Sequence, residues 1–487
     1  MRGNAVLAAL FVGLGIGRPS ISTAQVLLGG KVILNGQGAI QFVGQIPATP
    51  ASSAPLVPPT GDLLEFFDGS LMHGELKSMD TSSGLSWENP AATQPIAMQP
   101  SHIDSIRFAH ANSVAVTPTS HLRFVNGDDL FGSVTALDDD HLTFNTWFGG
   151  SMTIARASVQ TVTMLSSNYT ILYDGPGDES WVIDNHNPES WSLIDGTFVS
   201  GAPGSLGRDF KLSGSSTIEF DLAWSDVFGL QVFIYTDDVE HMDFRNSYEL
   251  DFTRDQVSFR RADSSRQFPF RPFGSVPLPN TAGKSKVRIT IQSNKEEGTV
   301  AVFADNALAK RWKDENGFNA SGGGVLFSQA GLTGATLKLS NFKVSQWQGR
   351  YEPETSAVAT NVDVIRFINH DQAAGKITGI SGGKVKLTLN DTLLQIPLQR
   401  VTQINFAAAP VPPQARGPWE VRAHFPRGGS LSFQLEKWDG KEVLGHSAIF
   451  GSLAFQPGQI RQLEFNLDHP KTAVTLATDR EFEGLDE

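Results

Sequence analysis

The sequence contains no cysteine. That excludes disulfides, thiolate metal sites and a lipid-modified cysteine anchor together. It has no excess of basic charge: the formal net charge is −13. An acidic chain lacks the phosphate-neutralising surface that nucleic-acid binding requires, so no nucleic-acid partner is expected. Beyond the N-terminus no run is long and apolar enough for a transmembrane helix, which needs about 20 such residues. No long stretch repeats with a helical period. There is no G-x-S-x-G, no Walker glycine loop and no H-E-x-x-H spacing, which removes the signals of several hydrolase and nucleotide-binding classes.

What is present begins with an address. Arg2 precedes an uncharged run from Ala5 to Gly17, Arg18 ends it, and Ser22-Thr23-Ala24 supplies small residues. This pattern predicts a secretory signal over 1–24. Its removal takes Arg2 and Arg18 and leaves −15. An exported chain without disulfides points to a bacterial periplasmic, surface or secreted protein. The 47 glycines and 32 phenylalanines suit many turns between short strands.

Internal repeats organise the rest. Leu64 opens LEFFDGSLMHG, ending at Gly74; Leu122 opens LRFVNGDDLFG, ending at Gly132; Ile365 opens IRFINHDQAAG, ending at Gly375. Each runs an apolar-polar-Phe strand into a turn at Asp68-Gly69, Asn126-Gly127 or Asn369-His370, a hairpin chemistry that supplies positive φ. Each also closes alike: Ile103-x-x-Ile106-x-Phe108, Val159-x-x-Val162-x-Met164 and Val401-x-x-Ile404-x-Phe406. A degenerate fourth copy closes on Ile460-x-x-Leu463-x-Phe465, and its start is blurred around Phe425 to Gly429. Units of about 45 residues with alternating patterns, such as Lys384 to Leu389, predict small bent sheets of SH3-like or Sm-like type. A unit of that size buries little apolar area alone and has to pair. First could pair with second and third with fourth, or the pairs could form across the insertion between them.

The expected organisation is a Gly/Pro-rich segment and linker at 25–60, repeats at 61–110 and 120–166, a sandwich at 170–350, repeats at 360–407 and 419–468, and a polar tail at 469–487. The expected fold is all-β: a central jelly-roll β-sandwich flanked by two pairs of small repeats. In the centre, Trp191-Ser-Leu-Ile-Asp195-Gly196 is followed by STIEFDLAW, YELDF, KVRITIQSNKEEGTVAVFADNALAKRW, GGGVLFSQAG and LKLSNFKVSQW. That order resembles the laminin-G/concanavalin-like lectin-glucanase superfamily, in particular its 3-keto-disaccharide hydrolase-like branch. The resemblance covers about 180 residues and implies a two-sheet jelly roll whose concave face commonly binds sugar. Members include enzymes, lectins and adhesion modules, so fold does not deliver function.

The candidate chemistry is acidic. Glu249 and Asp251 share one face of YELDF, and Glu219 and Asp221 share one face of TIEFDL. If both strands lay in one concave sheet, four carboxylates would line one groove. Neighbours two apart on a strand are about 6.6 Å apart, within the carboxylate spacing of glycosidases, so Glu249 and Asp251 are the catalytic candidates. The superfamily's retaining glucanases carry E-x-D-x-x-E, and here the second glutamate is missing. For ligand binding the candidates are Glu219, Asp221, Trp224, Trp312 and Arg260. No cofactor is required; calcium is the one candidate ion, at Asp138 to Asp140 or at Asp237, Asp238, Glu240 and Asp243, though neither run has the D-x-D-x-D-G spacing. The leading expectation is a non-catalytic exported binding or scaffold protein whose partner is carbohydrate or another extracellular protein. The alternatives are a glycoside-processing hydrolase using Glu249 and Asp251, and a purely structural assembly protein.

Overall fold

A computed structural model describes residues 61–67, 70–109, 111, 117–165, 169–175, 180–330, 335–347, 362–369, 371–407 and 416–468, and the backbone of 31–34 and 40–43. The signal segment, the 46–60 linker, most of the 407–418 linker, the 469–487 tail and the turn residues Asp68, Gly69 and His370 lie outside the described residues. Residues 1–53 form one unit, in which Lys31–Leu34 pairs antiparallel with Ile40–Val43; residues 54–487 form a second compact unit. Among the described residues there are strands and short 3₁₀ turns but no α-helix, and no helix long and apolar enough to cross a membrane.

Within the second unit each repeat forms five strands with a 3₁₀ turn before the last. The closing signature explains itself in burial. Ile103, Ile106, Val162, Ile404, Ile460, Leu463 and Phe465 are 0% exposed. Alternation sets the rest: in Ser120–Phe124 the residues Ser120, Leu122 and Phe124 point inward. The repeats pair across the insertion. The closing strand of the second lies antiparallel to that of the third, Val162 opposite Ile404. That of the fourth lies against that of the first, Leu463 opposite Ile106. Residues of all four repeats share one hydrophobic core. Buried Asp128 ties the second repeat to the fourth: its carboxylate accepts from Ser432 N and Oγ at 2.7 Å each and from Arg422 Nε at 3.2 Å.

The repeated glycine is a packing residue. A Cβ on Gly132 would stand 2.2 Å from the Asn145 carbonyl and 2.8 Å from the Phe144 ring. Gly74 faces Trp87 and Gly375 faces Leu387 in the same way. The fourth repeat inverts the arrangement. Phe433 occupies the strand position of Gly132, and Gly445, on the next strand, would put a Cβ 2.4 Å from the Phe433 ring. The ring stays; the strand that supplies it changes.

The insertion is a two-sheet sandwich. Its eight-stranded sheet contains Ser216–Trp224, and its seven-stranded sheet contains Ser247–Phe252. Ile218, Phe220 and Leu222 from one and Tyr248, Leu250 and Phe252 from the other meet in the core, each at most 1% exposed. The sandwich is held to the fourth repeat through Asp174, whose carboxylate accepts from the Arg461 guanidinium and from Arg427 N. Asp174→Ala leaves that guanidinium without its anion. The expected cost is about 2 kcal/mol, the scale of a hydrogen bond to a charged group, read by urea denaturation.

Candidate functional site

The seven-stranded sheet runs, in order, Val182–Ile183, Gly204–Asp209, Gly324–Gln329, Leu230–Thr236, Ser247–Phe252, Gln256–Ala262 and Phe270–Pro277. Because Tyr248, Leu250 and Phe252 point inward, Glu249 and Asp251 project from the outer face. Register then assembles their neighbours. Phe233 and Arg260 flank Glu249, and Gln231 and Ser258 flank Asp251. Phe270 stands opposite Ala262 on the same face.

Glu249 is 0% exposed. Arg260 grips both of its oxygens, with Nε at 2.7 Å from Oε2 and Nη2 on Oε1, and Gln231 Nε2 donates to Oε1 at 3.0 Å. Burial pushes the Glu249 carboxyl up, against the pull of Arg260. Asp251 is different. Its side chain is 33% exposed, and the Arg260 guanidinium is 4.0 Å away. Burial raises its carboxyl as well, with Arg260 opposing. Beyond Arg260 lie two aromatics. The guanidinium sits 4.2 Å above the Phe270 ring, which is 42% exposed, and Phe268 is 81% exposed at the adjoining turn. On the other side of Glu249, Phe244 closes over Phe233, Ala262 and Leu326 as a small separate cluster.

The four carboxylates do not converge. Glu219 and Asp221 project from the outer face of the other sheet, toward the repeats. Asp221 accepts from Arg288 Nη1 at 3.0 Å and from Asn341 Nδ2 at 2.8 Å; Glu219 lies 3.8 Å from Arg288 Nη2 and 3.7 Å from Lys343 Nζ. The sandwich core separates them from Glu249 and Asp251. The tryptophans are also placed otherwise than a stacking role needs. Trp224 is 4% exposed and packs 5.1 Å from Phe228; Trp312 is 3% exposed and packs 5.3 Å from Phe259. Both rings are inside the sandwich. Arg260 is on the site, but as the partner of Glu249.

The acidic turns are internally committed. Asp238 accepts from the backbone N–H groups of Glu240, His241 and Asp243, Asp237 from that of Arg245, and Asp138 from those of Asp140 and His141. Among the described residues no group of three or more His, Asp or Glu side chains could hold a metal ion.

Sequence reasoning missed Phe268, Phe270 and Gln231. The first two had a signal: the run Phe268-Pro-Phe-Arg-Pro-Phe273 places prolines in what had to be an edge strand. Gln231 had none, since only the strand register brings it beside Asp251.

No family model matches the chain, and no curated protein does. Among solved structures, the carbohydrate-binding module CBM66 from Bacillus subtilis shares 14% identity at a TM-score of 0.24, over 37% of this chain and 96% of its own. A Bacillus subtilis protein of unknown function with a galectin-like fold shares 14%, at 0.29, over 37% and 100%. The LamAcat structure from Zobellia galactanivorans shares 13%, at 0.27, over 38% and 97%. These likenesses concern little more than a third of the chain. The all-β, two-sheet architecture rests on the strand pairing itself.

Proposed function

We propose that this chain is an exported, non-catalytic binding protein whose seven-stranded sheet recognises carbohydrate at its exposed Phe270 edge, with the repeats as its scaffold. The observation that carries this reading is the state of Glu249. Glycosidases need two carboxylates about 5–9 Å apart flanking an accessible bond. Here one of the two is fully buried and both its oxygens are occupied. That arrangement is a rigid support, not an acid or a nucleophile. It fixes Arg260, which backs the exposed Phe270 ring, and it leaves Asp251 half-open beside Gln231 and Ser258 as an acceptor and donor set for hydroxyls. An aromatic face next to a few convergent polar groups suits a sugar ring.

The test is a glycan screen with and without calcium on the wild type, Phe270→Ala and Asp251→Asn. Binding by the wild type is expected, weakened about tenfold by Phe270→Ala, with the thermal transition of the variant unchanged. If the wild type binds nothing in either condition, the carbohydrate reading is lost. If the protein hydrolyses a glycoside and Glu249→Gln abolishes the activity, the hydrolase reading replaces it.

A further inference from the structure

The four repeats differ in how completely their inner faces are covered. Each first strand leads into a phenylalanine whose N–H donates across the turn: Phe66 to the carbonyl of Ser70, Phe124 to Asp128, Phe367 to Asp371 and Phe425 to Gly429. In the second and fourth repeats these rings are 1% and 0% exposed. Each of those two repeats sends a ring from the turn between its third and fourth strands into the other. Phe148 stacks on Phe425 with centroids 3.7 Å apart, and Phe450 meets Phe124 edge-on at 5.0 Å. The third repeat has no such cover. Its hairpin turns on Asn390-Asp391, Phe367 is half-buried, and among the described residues no aromatic ring packs on it. The fourth strand shows the same gap: Met152 and Leu453 are 8% and 7% exposed, and the equivalent Leu394 is 37% exposed.

That strand, Thr392–Pro397, is also a free edge. It pairs with Lys384–Leu389 on one side and, among the described residues, with nothing on the other. Proteins blunt edge strands with charge, proline or brevity. This one has six residues, no charge, and its proline last; its first four residues are exposed, Leu393 to 54%. The outer face of the hairpin is basic. Lys384 and Lys386 alternate with the inward Val385 and Leu387, and neither has an ion pair among the described residues. The first repeat, whose Phe66 is also half-buried, differs on both counts. Its fourth strand, Ile96–Met98, has three residues, and its outer face carries Glu75 and Glu88, both on Lys77.

We propose that residues 479–487 of this chain, DREFEGLDE, add as a further strand to the free edge of Thr392–Pro397. An open edge offers main-chain hydrogen bonds to an extended segment, and alternate side chains fix its register. In such a segment Phe482 faces opposite to Glu481 and Glu483. With Phe482 inward, its ring covers Phe367 and Leu394, as Phe148 covers Phe425. Glu481 and Glu483 then lie on the outer face, toward Lys384 and Lys386. Five acids against one arginine suit this basic hairpin and not the acidic first repeat. Pairing of the edge with its own copy would instead bring two sets of unpaired lysines together. The ten residues 469–478 that precede the segment extend to about 35 Å. That is roughly twice the radius of gyration, about 16 Å, of a compact body of some 200 residues, a reach that lets the docking be intramolecular.

Hydrogen–deuterium exchange on the full chain is the test. The amides of residues 392–396 are expected to exchange at least about tenfold faster in Glu481→Gln/Phe482→Ala/Glu483→Gln than in the wild type. A synthetic peptide of residues 479–487, added to that variant, is expected to restore slow exchange. It is expected to bind at least about tenfold more weakly once Lys384→Gln/Lys386→Gln is introduced as well, the scale of a charge-assisted contact. Circular dichroism checks that the lysine changes leave the fold intact. The proposal is overturned if the edge amides exchange alike in wild type and tail variant, if the peptide does not bind, or if the lysine changes leave its binding unaltered. Protection that rises with protein concentration in the wild type would also overturn it, by assigning the segment to a second copy.

Discussion

Replacing Arg260 by alanine will lower the unfolding free energy by about 3 kcal/mol at neutral pH, and the deficit will shrink on acidification. Breaking a buried ion pair by removing one partner costs about 3–5 kcal/mol, because the other charge stays buried without its partner. Glu249 is that charge: it is 0% exposed, and without the guanidinium its described donor is Gln231 alone. Arg260 itself is 26% exposed, which places the cost at the low end of the range. The pH dependence follows from the same burial. The Glu249 carboxyl is already raised by desolvation, and loss of Arg260 raises it further. An acid whose folded pKa lies above its unfolded value contributes stability below the unfolded value, about 4.3 for glutamate. That contribution is lost as the pH rises through the folded value. Urea denaturation of both proteins at about pH 7 and about pH 4.5 should therefore show the larger gap at pH 7. Equal gaps at the two pH values would mean that Glu249 does not carry a buried charge, and the argument against its catalytic use would fall with it.

Glu249 also shows how far the sequence could be read. Alternation identified the inward and outward residues of TIEFDL and YELDF, because a half-buried strand has period two whatever lies beside it. It could not tell which sheet each strand joins. Glu219 and Glu249 have near-identical local sequence, yet Ser216–Trp224 pairs with Lys286–Asn294 and Ser247–Phe252 with Leu230–Thr236. Side follows from local period; sheet follows from long-range pairing. Trp224 was legible on the first ground. It continues the inward series Ile218, Phe220, Leu222, and parity alone puts it in the core. The partnership of the repeats was illegible on the second ground. The closing strands are similar to one another, so nothing local distinguishes a neighbour in sequence from one across the insertion.

The blurred start of the fourth repeat has a physical cause, and a double-mutant cycle will test it. Its signature glycine is not lost but moved to Gly445, because Phe433 now supplies the ring that Phe144 supplies in the second repeat. Phe433→Gly removes a ring that is 1% exposed and packs 5.7 Å from Phe455. Truncating a buried Phe costs about 3–5 kcal/mol, and the new glycine adds strand entropy to that cost. Gly445→Phe alone forces a second ring into the space that Phe433 fills, where even a Cβ stands 2.4 Å from that ring and 2.5 Å from the Gln434 carbonyl. It is expected to be at least as damaging as the truncation. Combining the two rebuilds the arrangement of the second repeat, with a glycine on the earlier strand and a ring on the later one. The double variant is expected to be more stable than Gly445→Phe alone, because the ring clash is relieved while the close approach to the Gln434 carbonyl remains, with a coupling of about 2–3 kcal/mol, at the upper end for residues in contact. Thermal and urea unfolding of the four proteins would measure it. Additive losses would mean that the two strands are not interchangeable suppliers of one ring. The fourth unit's kinship with the others would then rest on its closing signature alone.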